Sequence, residues 1–406
     1  MKLKFSILFA LSLLLQPVAN AASFTVVKSN FDLPYTGNEQ VSDLLLTKTS
    51  ISLIGTTEAA SSTWIAGNIG GISDGFISTF SNSGAPLWNL RLGNSNNEIA
   101  TSAAFDTDGS IWVAGASSVA SSKTPTPSPS KLLNPDNVQL SPIPTNSSLT
   151  KLNLWQVSAS GQLLNAFETQ TAGVVTPQKI LVTPTGIALF GDIYEKSTVK
   201  GFFVSVSKAG EFTPLIKYGV KQTQLSSAIS NADGSFTAVG KSADLLLKVK
   251  PLSKGDAISI KISASGLLQQ VARATLKSTT RSWDSISAGM LQGGLVKYAK
   301  KSEAAVTKFS TLGKPIWNDR YLASSTALVV SGSNSWTTFV STGAIAGVPS
   351  WKPKTPTPVV LELGKKGEVI SASAISGIPV AISRNNEIGT VVITDSGTSF
   401  GIVLIN

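Results

Sequence analysis

The 406-residue chain carries 33 Lys and Arg against 23 Asp and Glu, a formal charge of +10, and contains neither Cys nor His. The usual zinc sites and every Ser-His or Cys-His nucleophile pair are thereby excluded, and an exported fold must be held by its core and strand pairing rather than by disulfides. The basic surplus favours anionic surfaces such as wall polymers and acidic glycans, or simply keeps a Ser/Thr-rich β surface soluble.

In chain order, Lys2 and Lys4 precede an apolar run over 5–15 and the small-residue pattern Ala19-Asn20-Ala21. That order predicts a secretory signal peptide over 1–21, and the run is shorter than the about 20 residues a membrane span needs. Losing Lys2 and Lys4 lowers the formal charge from +10 to +8. No later segment is apolar enough to span, no Cys offers a lipid attachment, and 401–406 carries no wall-sorting motif. The mature chain, 22–406, is expected to be secreted or cell-surface, without a transmembrane segment.

Beyond it, two kinds of apolar phrase alternate. One closes mostly on Gly: 51–55 (ISLIG), 111–115 (IWVAG), 187–191 (IALFG), 236–240 (FTAVG), 294–298 (GLVKY), 336–343 (WTTFVSTG) and 389–393 (GTVVI). The other runs into a Ser/Asn/Lys-Gly turn: 74–84, 151–161, 201–210, 256–266, 304–313 and 358–367, with 399–406 as its last copy. Alternation of apolar with small or polar residues, closed by turn residues, marks short strands joined by hairpins. Most of the second kind lie roughly 43 to 55 residues apart, a period that fits propeller blades rather than helical solenoids. Seven copies of each predict an all-β, seven-bladed β-propeller of four-stranded antiparallel blades in one domain. The seventh blade has strands around 379–383, 389–394 and 400–405 but no fourth, so 24–29 (FTVVKS) is expected to complete it and close the ring.

The stretch 74–115 (DGFISTFSNSG, APLWNLRLG, EIATSAAFDTDGS, IWVAG) holds the strand content of one blade. Its phrases, and those around 256–266, resemble the bacterial beta-propeller repeat family, whose units end in a Trp-bearing strand, here Trp88 and Trp317. The resemblance implies a propeller placed outside the cytoplasm and fixes no reaction.

Two features invite a chemical reading. Asp106-Thr-Asp108-Gly109-Ser110 resembles the start of a calcium loop but lacks the distal ligands, and its counterparts at 231–235 and 183–186 read as hairpin turns. Gly67, Gly70 and Gly71 lack the strand-to-helix context of a phosphate loop. No cofactor, metal site or catalytic set is expected.

Four connections between second and third strands are enlarged, at 56–73, 116–150, 241–255 and 344–357, and strand order puts all four on one face of the disc. The first is expected to hold an extra strand at 63–67 (TWIAG). The second includes a Pro-rich insertion over 119–148, expected as a solvated loop, with a glycosylation acceptor pattern at 146–148. Long loops on a rigid scaffold carry recognition, so Trp64, Trp351, Lys248, Lys250, Lys352 and Lys354 are the candidate ligand-binding residues. The expected function is a non-enzymatic binding or scaffold module of the cell envelope, whose partner is a protein, a glycan or an anionic wall polymer, with no nucleic acid. The alternative is a carbohydrate hydrolase or lyase using carboxylates, for which Asp74, Glu98, Asp244 and Asp256 are the loop-face candidates. Asp74 and Asp256 recur at one repeat position, which suits a structural role.

Overall fold

The computed structural model describes residues 22–119, 148–311 and 313–405. The segment 1–21 expected as a signal peptide, nearly all of the Pro-rich insertion and the glycosylation pattern, except Ser148, lie outside the described residues. Within them the seven Gly-closed phrases are all second strands and the seven turn-closed phrases are all third strands of antiparallel sheets. These two central strands are buried almost throughout, as in Ile111–Ser118 and Ser335–Ser341, because neighbouring blades cover both faces. Outer strands such as Leu163–Gln170 are largely exposed. The stretch 74–115 straddles two sheets: Asp74–Ser81 and Pro86–Leu92 finish blade one, and Glu98–Phe105 and Ile111–Ser118 begin blade two.

Instead of one central core there are seven apolar clusters, each in the seam between neighbouring blades. Several outer strands also seal the next blade. In these an aromatic side chain lies over the turn glycine between that blade's third and fourth strands: Trp88 over Gly161, Phe167 over Gly210, Trp317 over Gly367, whereas Gly313 of blade five is uncovered. The covered glycines have φ between +85° and +87°, and an added Cβ on Gly161 would meet the Trp88 ring at 2.5 Å. Glycine is required there twice over, by conformation and by contact.

The N-terminal segment closes the ring, but not with the expected residues. Phe31–Pro34 pairs antiparallel with Ser399–Ile405 as the fourth strand of blade seven, and Phe31 covers Gly84 just as Trp88 covers Gly161. Phe24–Val26, the core of the 24–29 phrase, instead lies parallel to Val369–Ala374 at the outer edge of blade six. Connection length explains the correction. Every other outer strand reaches the next inner strand through three to five residues, and 35–39 obeys that rule while a strand ending at Ser29 does not. The extra strand expected at 63–67 is also absent: Trp64 and Ile65 are buried in the seam between blades seven and one without strand pairing.

Six inner strands carry a bulge at the same height, between Val41 and Asp43, Ala100 and Ser102, Pro177 and Lys179, Leu225 and Ser227, Trp283 and Ser285, and Pro379 and Ala381. In five of them the extra residue, Ser42, Thr101, Gln178, Ser226 or Asp284, lines a 490 Å³ central channel. A bulge re-aims one side chain per strand, and here it gives the channel a polar wall.

Candidate functional site: the seam between blades four and five

This seam is the most open of those described; the seam of blades one and two holds a single cavity of 310 Å³. Three cavities of 560, 330 and 340 Å³ run along the seam of blades four and five from the loop face toward the opposite face. The cause is local sequence. Blade four presents Ser259 and Thr237 to the seam and blade five presents Gln292, Thr307 and Asn318, where large aliphatic side chains interlock elsewhere.

The uppermost cavity opens on the loop face, between Gln224, Lys241 and Lys254 of blade four and Thr280, Arg281 and Lys297 of blade five. Lys241, Lys254 and Lys297 are exposed, and among the described residues none has a carboxylate within ion-pairing distance. Asp284, at the channel side, is turned inward onto the hydroxyls of Ser282 and Thr326, and burial raises its pKa.

Arg281 lines both this cleft and the 330 Å³ cavity beneath it. Only 8 % of it is exposed, its guanidinium lies 4.2 Å from the centre of the Trp283 ring, and its Nη2 donates to Asn318 Oδ1 at 3.4 Å. No acid pairs with it among the described residues, and burial, reinforced by the like charge of Arg320, lowers its pKa to about 10. A buried guanidinium without a counter-ion is costly and stands ready for an anion.

Of the residues expected to bind ligand, Lys248, Lys250, Lys352 and Lys354 are exposed on the loop face. Lys248 and Lys250 sit on a hairpin tip beside the cleft, interleaved with exposed Leu245, Leu247, Val249 and Leu252. At its turn Leu247 and Lys248 hold φ of 43° and 65°, a strained conformation for side-chain-bearing residues. The two tryptophans are placed differently. Trp64 is 4 % exposed, donates Nε1–H to Pro34 O at 3.0 Å and packs edge-on against Phe76 and Phe400. Trp351 is 3 % exposed, donates to Ser341 Oγ at 3.1 Å and meets Phe24 edge-on. Neither offers a ring face to solvent; each pins its loop to the blade below and to the N-terminal segment.

The four loop-face carboxylates are all buried. Asp74 and Asp256 begin third strands and pair with Arg91 and Arg273, 3.4 and 3.5 Å away and 17 residues later in each case. This Asp-to-Arg spacing was a readable sequence signal for the repeat ion pair. Asp244 accepts from the backbone N–H groups of Val220, Lys221 and Gln222 and from Thr223 Oγ1. Glu98 is fully buried beside Asp74, with its pKa raised to about 7 by burial and by the Asp74 charge, against the N–H of Asn94. Asp74 is also raised by burial, and Asp74 Oδ1 and both Glu98 oxygens are buried without a hydrogen-bond partner. None of these four carboxylates lines a described cavity; of the other acids, Asp284 and Glu58 share the central channel, Asp284 also lines the cleft, and Asp233 lines the 340 Å³ cavity. The Asp106, Asp233 and Thr183 runs are hairpin turns, as read, and Asp106 is held at about 2 by Lys208 and the Trp112 indole. Gly70 and Gly71 are needed for close approach, since a Cβ on Gly70 would lie 1.5 Å from Asn94 O.

No family model matches the chain, and no curated protein matches it. Solved structures do. The chain is similar to the BP39L lectin of Burkholderia pseudomallei, with a TM-score of 0.52 at 11% identity over 91% of this chain and 96% of that one. It is also similar to Chaetomium thermophilum Sqt1 bound to the N-terminus of ribosomal protein L10, at 0.47, 10% identity and coverages of 93% and 100%. A third is BamB from Moraxella catarrhalis, at 0.42, 11% identity and coverages of 94% and 100%. At these identities the likeness concerns the fold alone.

Proposed function

We propose that the chain is an extracytoplasmic binding module of the bacterial beta-propeller repeat type, which holds an anionic polymer or acidic glycan of the cell envelope across its loop face. The observation that carries this reading is the cleft between blades four and five, rimmed by Lys241, Lys254 and Lys297 with no acid in ion-pairing range among the described residues. Lys248 and Lys250 extend the cationic rim outward along the hairpin tip, and Lys352 and Lys354 continue it over blade six. Trp64 and Trp351 take no part in the site; each packs its own loop onto its blade and the N-terminal segment. Secretion rests on the segment 1–21 read above; among the described residues no helix is long and apolar enough to cross a membrane. Clustered cations of one sign focus the local potential and concentrate polyanions, an effect that salt screens.

The test is retention of the purified protein on immobilised polygalacturonate and on neutral dextran at about 50 and about 500 mM NaCl, where the Debye length falls several-fold. Retention on the acidic matrix alone, lost at high salt and in the Lys241→Glu/Lys254→Glu/Lys297→Glu variant, is the expected outcome. Equal retention of the folded variant refutes the assignment.

A further inference from the structure

Three buried side-chain atoms without a hydrogen-bond partner, Arg281 Nε, Arg273 Nε and Gln292 Oε1, belong to residues that line the same 330 Å³ cavity. We propose that this cavity, beneath the cleft in the seam between blades four and five, is a specific site for a hydroxylated carboxylate of the sugar-acid class, a hexuronate, with its carboxylate against Arg281 and a hydroxyl on Gln292. This goes beyond the polymer reading and stands without it, since it concerns a small ligand in an inner cavity and not the lysine rim.

The repeat itself argues that Arg281 is not a requirement of the fold. The backbone N–H of Arg281 donates to Gly255 O at 2.9 Å, just before Asp256, and that of Glu98 donates to Ser73 O at 2.7 Å, just before Asp74. The two residues therefore hold the same place, beside an Asp–Arg pair, in two different seams. In the seam of blades one and two the place holds a fully buried acid, Glu98, with a raised pKa beside Asp74. In the seam of blades four and five it holds a cation, which leaves one uncompensated positive charge beside a cavity. The internal counterpart shows that the backbone there is built equally well around a carboxylic acid.

The remaining wall chooses among anions. Gln292 donates Nε2–H to Ser259 Oγ at 3.2 Å, so one atom of its amide is left without a partner in either orientation, and a hydroxyl satisfies both cases because it donates and accepts. Trp283, Met290 and Phe309 supply apolar surface for the face of a ring. A guanidinium presents its donors as a planar fork that matches a carboxylate. Volume is in the range of small-molecule sites, about 300 Å³ and above. Bare sulfate or acetate leaves Gln292 unanswered, and a neutral hexose leaves the guanidinium unanswered.

The experiment is titration of the full mature chain with sodium glucuronate, glucose, sodium acetate and sodium sulfate, followed by calorimetry and by the melting temperature. Glucuronate is expected to bind at least about tenfold more tightly than any of the other three. Arg281→Gln is expected to abolish that binding while melting, without ligand, at or above the wild-type temperature, because it removes an unpaired buried charge. Arg281→Lys keeps the charge without the fork and is expected to weaken glucuronate about tenfold with the fold intact, which keeps the test open if the first variant fails to fold. The proposal is overturned if glucuronate neither releases heat nor raises the melting temperature, or if acetate, sulfate or glucose binds as well. It is equally overturned if Arg281→Lys binds as wild type does, or if Arg281→Gln folds but melts lower without ligand, which makes the guanidinium structural.

Discussion

Replacing Glu98 by Gln changes how stability depends on pH, and the direction follows from its surroundings. Glu98 is fully buried, neither of its side-chain oxygens has a hydrogen-bond partner, and burial raises its pKa from an ordinary 4.5 to about 7. A carboxyl whose folded pKa is raised binds its proton more tightly in the folded state. Between pH 4.5 and about 7 the unfolded chain has already released that proton, so stability falls as pH rises through this window; below it the two states are equally protonated, and above it the cost is constant. At about 1.4 kcal/mol per pKa unit the full loss is up to about 3 kcal/mol. Gln keeps the shape and polarity of the protonated acid and does not titrate. Urea unfolding of both proteins at half-unit steps from about pH 4 to about pH 8 should give curves that coincide at the acid end and separate toward neutrality, with Glu98→Gln the more stable by up to about 3 kcal/mol. Asp192 and Asp319, raised to about 6 by burial, slope both curves in the same direction, so the difference between the proteins isolates Glu98. Parallel curves across the window would refute the reasoning and place Glu98 as an ionised, solvated group.

Removing 22–29 should leave the ring closed and cost little, whereas removing 22–34 takes away Phe31, Leu33 and the last strand of blade seven and should lower the melting temperature or cause aggregation; equal behaviour of the two truncations in thermal melts and light scattering counts against Phe31–Pro34 as the tie. Trp64→Ala should cost about 3–5 kcal/mol in chemical unfolding, the range for a large aromatic lost from a core, because it empties the seam between blades seven and one, while retention per folded molecule on polygalacturonate stays unchanged. Asp244→Ala should destabilise by about 2 kcal/mol or more, since three backbone N–H groups lose their acceptor, and increased amide hydrogen exchange at Val220, Lys221 and Gln222 would mark the site.

Alternating apolar phrases and their glycines determined the fold class, the blade number and the identity of the two central strands of every blade, because strand periodicity and turn conformation are local properties that the chain states directly. The repeat position shared by Asp74 and Asp256 likewise announced a structural pair, although their arginine partners, 17 residues on, went unread. Closure was legible as a requirement but not as a residue: 24–29 is the more apolar strand, yet the short crossover into blade one and the contact between Phe31 and Gly84 select Phe31–Pro34. Loop tryptophans were misjudged for a related reason. Sequence places Trp64 and Trp351 in loops, and only packing shows that Phe76, Phe400 and Phe24 take up their surfaces. The seam of blades four and five was beyond sequence altogether. Ser259, Gln292, Thr307 and Asn318 read as ordinary polar positions in four different strands, and the cavities they leave, with the unpaired Arg281 between them, arise only when two sheets are stacked face to face.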